Sequence, residues 1–220
     1  MKIWKCAKLE FMLMGQLPLW MLGFIVVYLA VFLGLDRMEI TTYFCSLFFI
    51  FITMSVITNN FFVQTEFTTL LPVKVQHRVY GRFLFGALAV TAAAVMGCIV
   101  QLALMYVKHM PFDMSSVFIT AMLLGAGLFA MAVEYLVFYL CRISNPQVLN
   151  LVRLIPAFVL FFGVNGLVGE VQENEELQLM QAVQWFFDHL ALVAALLLGI
   201  GILATIIGAV IAGIRENRKY

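Results

Sequence analysis

Charged side chains are scarce in this sequence. Asp, Glu, Lys and Arg make up 11% of the 220 residues, whereas 64% of the residues are hydrophobic and the mean hydropathy is +1.04. An average soluble domain carries roughly 25% charged residues, and a soluble domain of this size could not remove so much apolar surface from water. Much of the chain must therefore be surrounded by lipid, and its length suits one membrane domain over residues 1–220.

The motifs of nucleotide and metal chemistry are also missing. The sequence contains no GxxxxGK[ST] phosphate-binding loop, no HExxH zinc motif and no pair of carboxylates within an apolar stretch. Its four cysteines form no CxxC pair, and its three histidines lie far apart in the sequence. We therefore predict a chain without catalytic residues, without a metal site and without a cofactor of its own.

Six long apolar stretches predict membrane-spanning helices. Each approaches or exceeds the roughly 20 residues that a helix needs to cross about 30 Å of hydrocarbon. A barrel strand would need about 10 residues and would alternate polar with apolar positions. The predicted fold class is an all-α integral membrane protein with six transmembrane helices. In chain order the stretches are residues 17–35, 40–58, 83–107, 117–140, 148–168 and 190–214.

The charged residues are distributed unevenly between the loops. If the N-terminus lies inside, the inner segments hold 11 of the 13 Lys and Arg residues, and the outer loops hold 8 of the 12 acidic residues. Loops rich in Lys and Arg stay on the cytoplasmic side of a membrane. We therefore predict a multi-pass protein of the plasma membrane with both termini in the cytoplasm.

Residues 1–16 precede the first predicted span. Apolar positions recur there at helical spacing, which favours an amphipathic helix in the inner membrane interface with its lysines toward the headgroups. A frayed basic tail that only sets the topology is the alternative. The residues of this pattern are Trp4, Ala7, Phe11, Met14, Lys2, Lys5 and Lys8.

The predicted outer segment, residues 169–189, begins with a cluster of acidic residues and then becomes amphipathic. Two interpretations fit this change. The segment forms a short helix on the outer leaflet, or it is a solvated acidic loop.

Glu134 is the carboxylate that falls inside a predicted span. An ionisable group in a membrane is by default a functional hypothesis, and Glu134 lies about 9 Å from the inner end of its span at 1.5 Å per residue. It could form a structural ion pair with Arg153 or Arg142, or it could contact a substrate or a proton. The sequence leaves these roles open.

The predicted fifth span contains residues that bend a helix and bring helices close. Pro156 should kink it, and small residues follow toward its outer end. Such a helix could line a transport pathway or form a dimer seam, although ordinary helix packing uses the same residues. The candidate seam residues are Pro156, Gly163, Asn165 and Gly166.

The inner loop at residues 59–82 combines a proline break with a basic period. Pro72 disfavours a helical conformation at Leu71, whereas Lys74, Arg78 and Arg82 recur every four residues on one helical face. The pattern predicts a short cytoplasmic helix, a break, and a basic helix that enters the membrane. The alternative is a positively charged anchor with an incidental period.

This loop resembles that of a known family. Glu66, the Leu-Pro-Val at residues 71–73 and the Gly-Arg-Phe-Leu at residues 81–84 are similar to the loop after the second span of small type-2 ATP-binding-cassette (ABC) exporter permeases. Among the close relatives that it resembles are Gram-positive permeases that export, or give immunity to, peptides such as lantibiotics and phenol-soluble modulins. In that family the loop forms a coupling helix, and an N-terminal interfacial helix precedes six spans.

The resemblance implies a transmembrane permease subunit of an ABC exporter in a bacterial plasma membrane. It would move peptides or other amphipathic molecules, pair with a second permease chain as a homodimer or heterodimer, and bind a separate ATPase subunit that holds ATP and Mg²⁺. A non-transporting scaffold or sensor-associated protein is the alternative, and an intramembrane enzyme or secondary transporter is a third. The implied ATPase-docking residues are Glu66, Leu71, Pro72, Val73, Lys74 and Arg78.

Overall fold

The computed structural model describes five helices. They are α1 (Lys2–Leu13), α2 (Cys45–Thr69), α3 (Val75–Val107), α4 (Ser115–Cys141) and α5 (Leu190–Asn217). No residue of the described ranges lies in a strand, in agreement with the predicted all-α class. The predicted first span and nearly all of the fifth lie outside these ranges. The residues that the structure describes are 2–13, 45–69, 73–107, 109, 114–141, 148, 151–152, 184–185 and 188–217.

Three of the helices are long and apolar enough to cross a membrane. These are α3, α4 and α5, with 33, 27 and 28 residues, or about 50, 40 and 42 Å at 1.5 Å per residue. They coincide with the predicted third, fourth and sixth spans. The second predicted span corresponds to the first part of α2, where Ser46–Thr58 is apolar. The helix does not end there but continues to Thr69.

The helix α3 occupies the centre of the described part of the chain, because it packs against all four other helices. Its neighbours α2 and α4 both run antiparallel to it, as their paired contacts show. Toward its first residues α3 meets the last turns of α4, and toward its last residues it meets the first turns of α2 and α4. The contacts that establish this order are Phe83 with Tyr139, Gly97 with Ser46, and Met105 with Ser116.

The helices α4 and α5 form an extensive parallel contact. Small residues bring their backbones together, since a Cβ atom at Gly201 would collide with the Gly125 carbonyl group. Two polar contacts follow beyond this crossing, toward the C-terminal ends of both helices and in the same chain order. They are Thr205 Oγ1 donating to the Leu128 carbonyl at 3.5 Å, and Arg215 Nη2 donating to the Leu140 carbonyl at 2.8 Å.

Candidate functional site

The predicted docking segment leads directly into α3. The backbone amides of His77 and Arg78 donate to the Lys74 carbonyl at 2.9 and 3.4 Å, so Lys74 precedes the first turn of the helix. The Lys74 side chain is exposed, whereas those of Val73 and Arg78 are half-buried. Lys74 and Arg78 therefore lie at the start of a 33-residue helix, and the Lys74 side chain reaches solvent.

The remaining docking candidates belong to the other side of the proline break. Glu66 lies in the last turn of α2, and α2 packs against α3. The Glu66 side chain, Leu71 and Pro72 lie outside the described residues. The structure thus places part of the segment on two adjacent helices, and the docking role of these residues stays a prediction.

The helix α1 lies against the first turns of α3. Gly81 permits this approach, since a Cβ atom there would lie 2.5 Å from the Cys6 Cβ and 3.1 Å from the Ala7 amide nitrogen. The second of these contacts is to backbone, which cannot move aside as a flexible side chain can. Any larger residue at position 81 would push α1 away from α3.

An ion pair fastens the same two helices. Arg82 Nε lies 2.7 Å from Glu10 Oε1, and the two side chains are only 6% and 7% exposed. The Arg82 guanidinium also donates to the hydroxyl of Tyr139, in the last turn of α4. One buried cation therefore joins α1, α3 and α4. We call the set formed by Cys6, Glu10, Gly81, Arg82 and Tyr139 the basal junction.

Electrostatics connects the basal junction to the docking segment. Burial raises the pKa of the Cys6 thiol above its ordinary value of 9.0, and the Glu10 carboxylate acts in the same direction. Arg78 opposes both effects by favouring the thiolate. The positive charge of Arg78, a docking candidate on α3, therefore acts on the Cys6 thiol of the basal junction.

Sequence reasoning found Arg82 but not its partner. It assigned Arg82 to a basic helical stripe and gave Glu10 no role. A signal was present, because Glu10 is the one acidic residue among the first 35, and it lies between Leu9 and Phe11. A carboxylate that is buried among apolar side chains needs a nearby cation to offset the cost of removing its charge from water.

Glu134 contacts α2. Its side chain is buried, with 2% of the residue exposed, and the hydroxyl of Thr58 donates to Glu134 Oε1. The predicted partner Arg153 lies outside the described residues, as does Arg142. The contact with Thr58 is one that the sequence did not predict, and it leaves both an ion pair and a substrate or proton role open for Glu134.

A second polar cluster joins α2, α3 and α4 toward the other end of α3. The hydroxyl oxygens of Ser46 and Thr120 lie 3.3 Å apart, and Thr120 Oγ1 lies 3.4 Å from Gln101 Oε1. All three residues are buried. Polar contacts of this kind hold membrane helices together at typically below 2 kcal/mol each, and they fix the register of α2 against its neighbours.

The other predicted site residues, Pro156, Gly163, Asn165 and Gly166, lie outside the described residues. A pathway or dimer seam at these positions therefore stays a prediction. Within the part of the chain that the structure describes, no three His, Cys, Asp or Glu side chains are grouped so that they could hold a metal ion.

A family comparison places these contacts in a wider context. The sequence profile of a family described as "ABC-2 family transporter protein" matches residues 8–212. No curated protein and no solved structure matches the chain. The matched range includes the docking segment and the crossing of α4 with α5. It also includes every residue of the basal junction except Cys6.

Proposed function

Because the chain belongs to the ABC-2 family of transporter proteins, we propose that it is the membrane-spanning permease subunit of an ATP-driven exporter. Its cargo is a peptide or another amphipathic molecule that leaves a bacterial cell. Two permease chains, identical or related, form the pathway in the plasma membrane. A separate ATPase subunit binds ATP and Mg²⁺ and hydrolyses the nucleotide, since this chain has no phosphate-binding loop.

The observation that carries this proposal is the continuity of α3. It runs without interruption from Val75, next to the docking candidates, to Val107. A helix of about 50 Å that touches every other described helix transmits a push at one end to the whole bundle. An ATPase that moves Lys74 and Arg78 would therefore displace α3 as a lever.

The proposed docking surface consists of Glu66, Leu71, Pro72, Val73, Lys74 and Arg78. Its mixture of basic and apolar side chains suits a groove with an acidic rim and a hydrophobic floor on the ATPase. The half-buried position of Arg78 and the exposed position of Lys74 support contact with such a groove. Both termini lie in the cytoplasm in this arrangement, on the side of the ATPase.

The basal junction gives the proposed motion a route to the neighbouring helices. Arg82 lies one turn beyond Arg78 on α3 and holds both α1 and α4. Close packing and a buried ion pair resist sliding, so a displacement at the start of α3 must move α1 and α4 with it. ATP-driven closure of the ATPases thus changes the exposure of the permease interior as a concerted rearrangement.

The test is co-purification from native membranes in mild detergent. We expect a soluble subunit with a phosphate-binding loop to accompany the tagged chain, and to be lost from the double variant Lys74→Glu/Arg78→Glu. The control is Asn217→Glu, which adds a negative charge at the exposed end of α5 and should retain the ATPase.

Two results would contradict the proposal in different ways. If the double variant keeps its ATPase and its ATP-dependent export, the docking surface is wrong. If the unaltered chain is recovered intact and never carries an ATPase, the permease assignment itself fails.

A further inference from the structure

The helix α1 has two faces with different surroundings. One face, formed by Cys6, Ala7 and Glu10, is buried against α3. The other is exposed and carries three large apolar side chains and two lysines, at positions i, i+1, i+4, i+7 and i+8 of one helical stripe. This exposed face consists of Trp4, Lys5, Lys8, Phe11 and Met12.

The apolar side chains of this face are too exposed for a surface that meets water. Trp4 is 59% exposed, Phe11 69% and Met12 65%. Aromatic side chains beside lysines are typical of helices that lie at the boundary between lipid headgroups and acyl chains. There the rings enter the apolar region while the ammonium groups reach the phosphates.

The buried face fixes the depth of α1 relative to α3. Its contacts are with Gly81 and Arg82, and Arg82 is the last charged residue of α3, which is uncharged from Phe83 to Val107. A helix held beside Arg82 lies where α3 passes from a charged to an apolar environment. That level is the headgroup layer of a bilayer.

We propose that the exposed face of α1 binds anionic phospholipid headgroups of the cytoplasmic leaflet. Each of the two lysines contributes about a fivefold preference for an anionic over a zwitterionic headgroup, and together they give roughly 30-fold at low ionic strength. The Glu10–Arg82 ion pair keeps the face turned outward, because it holds the opposite side of the helix. The binding requires no ATPase and does not depend on the proposed transport function.

The test uses the full chain in lipid nanodiscs with Trp4 as the reporter. Replacing Trp20 and Trp185 with Phe leaves Trp4 as the single tryptophan. Its fluorescence is measured in equal mixtures of phosphatidylglycerol and phosphatidylcholine, with bromine as a quencher on one lipid and then on the other. We expect brominated phosphatidylglycerol to quench more strongly, and the difference to shrink as salt is added.

Two charge variants determine whether the lysines cause this preference. Lys5→Gln/Lys8→Gln should abolish it and quench equally with either lipid, which also shows that α1 remains seated at the membrane. Lys5→Arg/Lys8→Arg keeps both charges and should retain the preference.

Three results would overturn the proposal. The first is equal quenching of Trp4 by the two lipids in the chain that retains Lys5 and Lys8. The second is a preference for phosphatidylglycerol that survives Lys5→Gln/Lys8→Gln. The third is an absence of quenching by either lipid. If the glutamine variant instead loses co-purified ATPase while its lipid preference is unchanged, the face binds a protein and not the membrane.

Discussion

Arg82 carries a positive charge at a position almost closed to solvent, and Glu10 is the group that neutralises it. We expect Glu10→Ala to destabilise the chain by about 3–5 kcal/mol, because the Tyr139 hydroxyl accepts a hydrogen bond but carries no compensating charge. The measurement is the midpoint of unfolding of the purified chain in mixed detergent micelles as the denaturing detergent is increased.

Two further variants distinguish the effect of losing the ion pair on stability from the effect of losing any side chain of α1. Lys5→Ala removes an exposed side chain of α1 and should leave the midpoint nearly unchanged. Glu10→Leu/Arg82→Met removes both charges and should recover most of the stability, since apolar residues of similar size can replace a buried pair. A midpoint for Glu10→Ala equal to that of Lys5→Ala would show that the pair contributes nothing.

The thiol of Cys6 should react slowly with maleimide. Burial and Glu10 raise its pKa above 9.0, so the thiolate, the reactive form, is a smaller fraction at every pH below that value. In a chain whose other cysteines are replaced by Ser, we expect the rate to rise about tenfold per pH unit from pH 7 to pH 9. A chain that retains exposed Cys141 alone is the reference. A rate that levels off below pH 9 would show that Arg78 outweighs burial.

At the scale of elements, the crossing of α4 with α5 depends on two glycines. Gly201→Ala would place a methyl group against the Gly125 carbonyl, and the backbone there cannot yield without separating the helices. We expect a cost of about 1–3 kcal/mol, measured as a lower unfolding midpoint.

The chain provides a matched control two residues away. Among the described residues, and apart from the neighbouring backbone of α5 itself, no atom lies within 4 Å of the position that a Cβ would occupy at Gly199. Gly199→Ala should therefore leave the midpoint unchanged or raise it by up to about 1 kcal/mol through its helix propensity. If both alanines have the same effect, the close approach at Gly201 does not determine stability.

Hydropathy predicted the three long apolar helices of the described residues, because the side chains that lipid surrounds are apolar. The third, fourth and sixth predicted spans coincide with α3, α4 and α5, and the basic period from Lys74 to Arg82 foretold that α3 begins before its apolar stretch. Hydropathy did not indicate that α2 continues as one helix from Thr58 to Thr69. A helix that leaves the apolar region keeps its backbone hydrogen bonds but loses the hydropathy signal.

The sequence pointed to candidate site residues only where the pattern lies within one short segment of the chain. The proline and the four-residue period marked Lys74 and Arg78, whose spacing along one helix is a property of the sequence. The contacts of Glu10 with Arg82 and of Ser46 with Thr120 join residues more than 70 positions apart. Such pairs arise from the packing of whole helices, which periodicity within one segment does not specify.

At the scale of the molecule, the relative directions of the helices agree with the predicted topology. α2, α4 and α5 run one way and α3 runs the other, as spans two, four, six and three must in a six-span chain, whichever side of the membrane holds the N-terminus. Because α4 and α5 are parallel, Cys141 and Leu190 lie at opposite ends of their contact. The predicted fifth span lies between these two residues in the sequence, and as a membrane-spanning helix it would connect the two ends.

The orientation can be measured with two engineered cysteines in a chain whose native cysteines are replaced by Ser. We expect Met114→Cys, at the exposed start of α4, to react in intact cells with a maleimide that does not cross membranes. Asn217→Cys, at the exposed end of α5, should react only after the membrane is permeabilised. Their positions at opposite ends of the bundle make each the control of the other. The reverse pattern would invert the topology and place the docking segment outside the cell.

The parallel contact of α4 with α5 also sets an order of events during synthesis. A ribosome adds about 5–20 residues per second, so roughly 4–15 s separate the completion of α4 from the completion of α5. Throughout that interval Gly125 has no Gly201 against it, and the Leu140 carbonyl has no Arg215 to bind. A nascent chain therefore presents an unfinished helix face to the bilayer and to the insertion machinery until its last segment emerges. A chain that ends before residue 190 lacks α5. Its α4 face would therefore stay uncovered and accessible to membrane proteases.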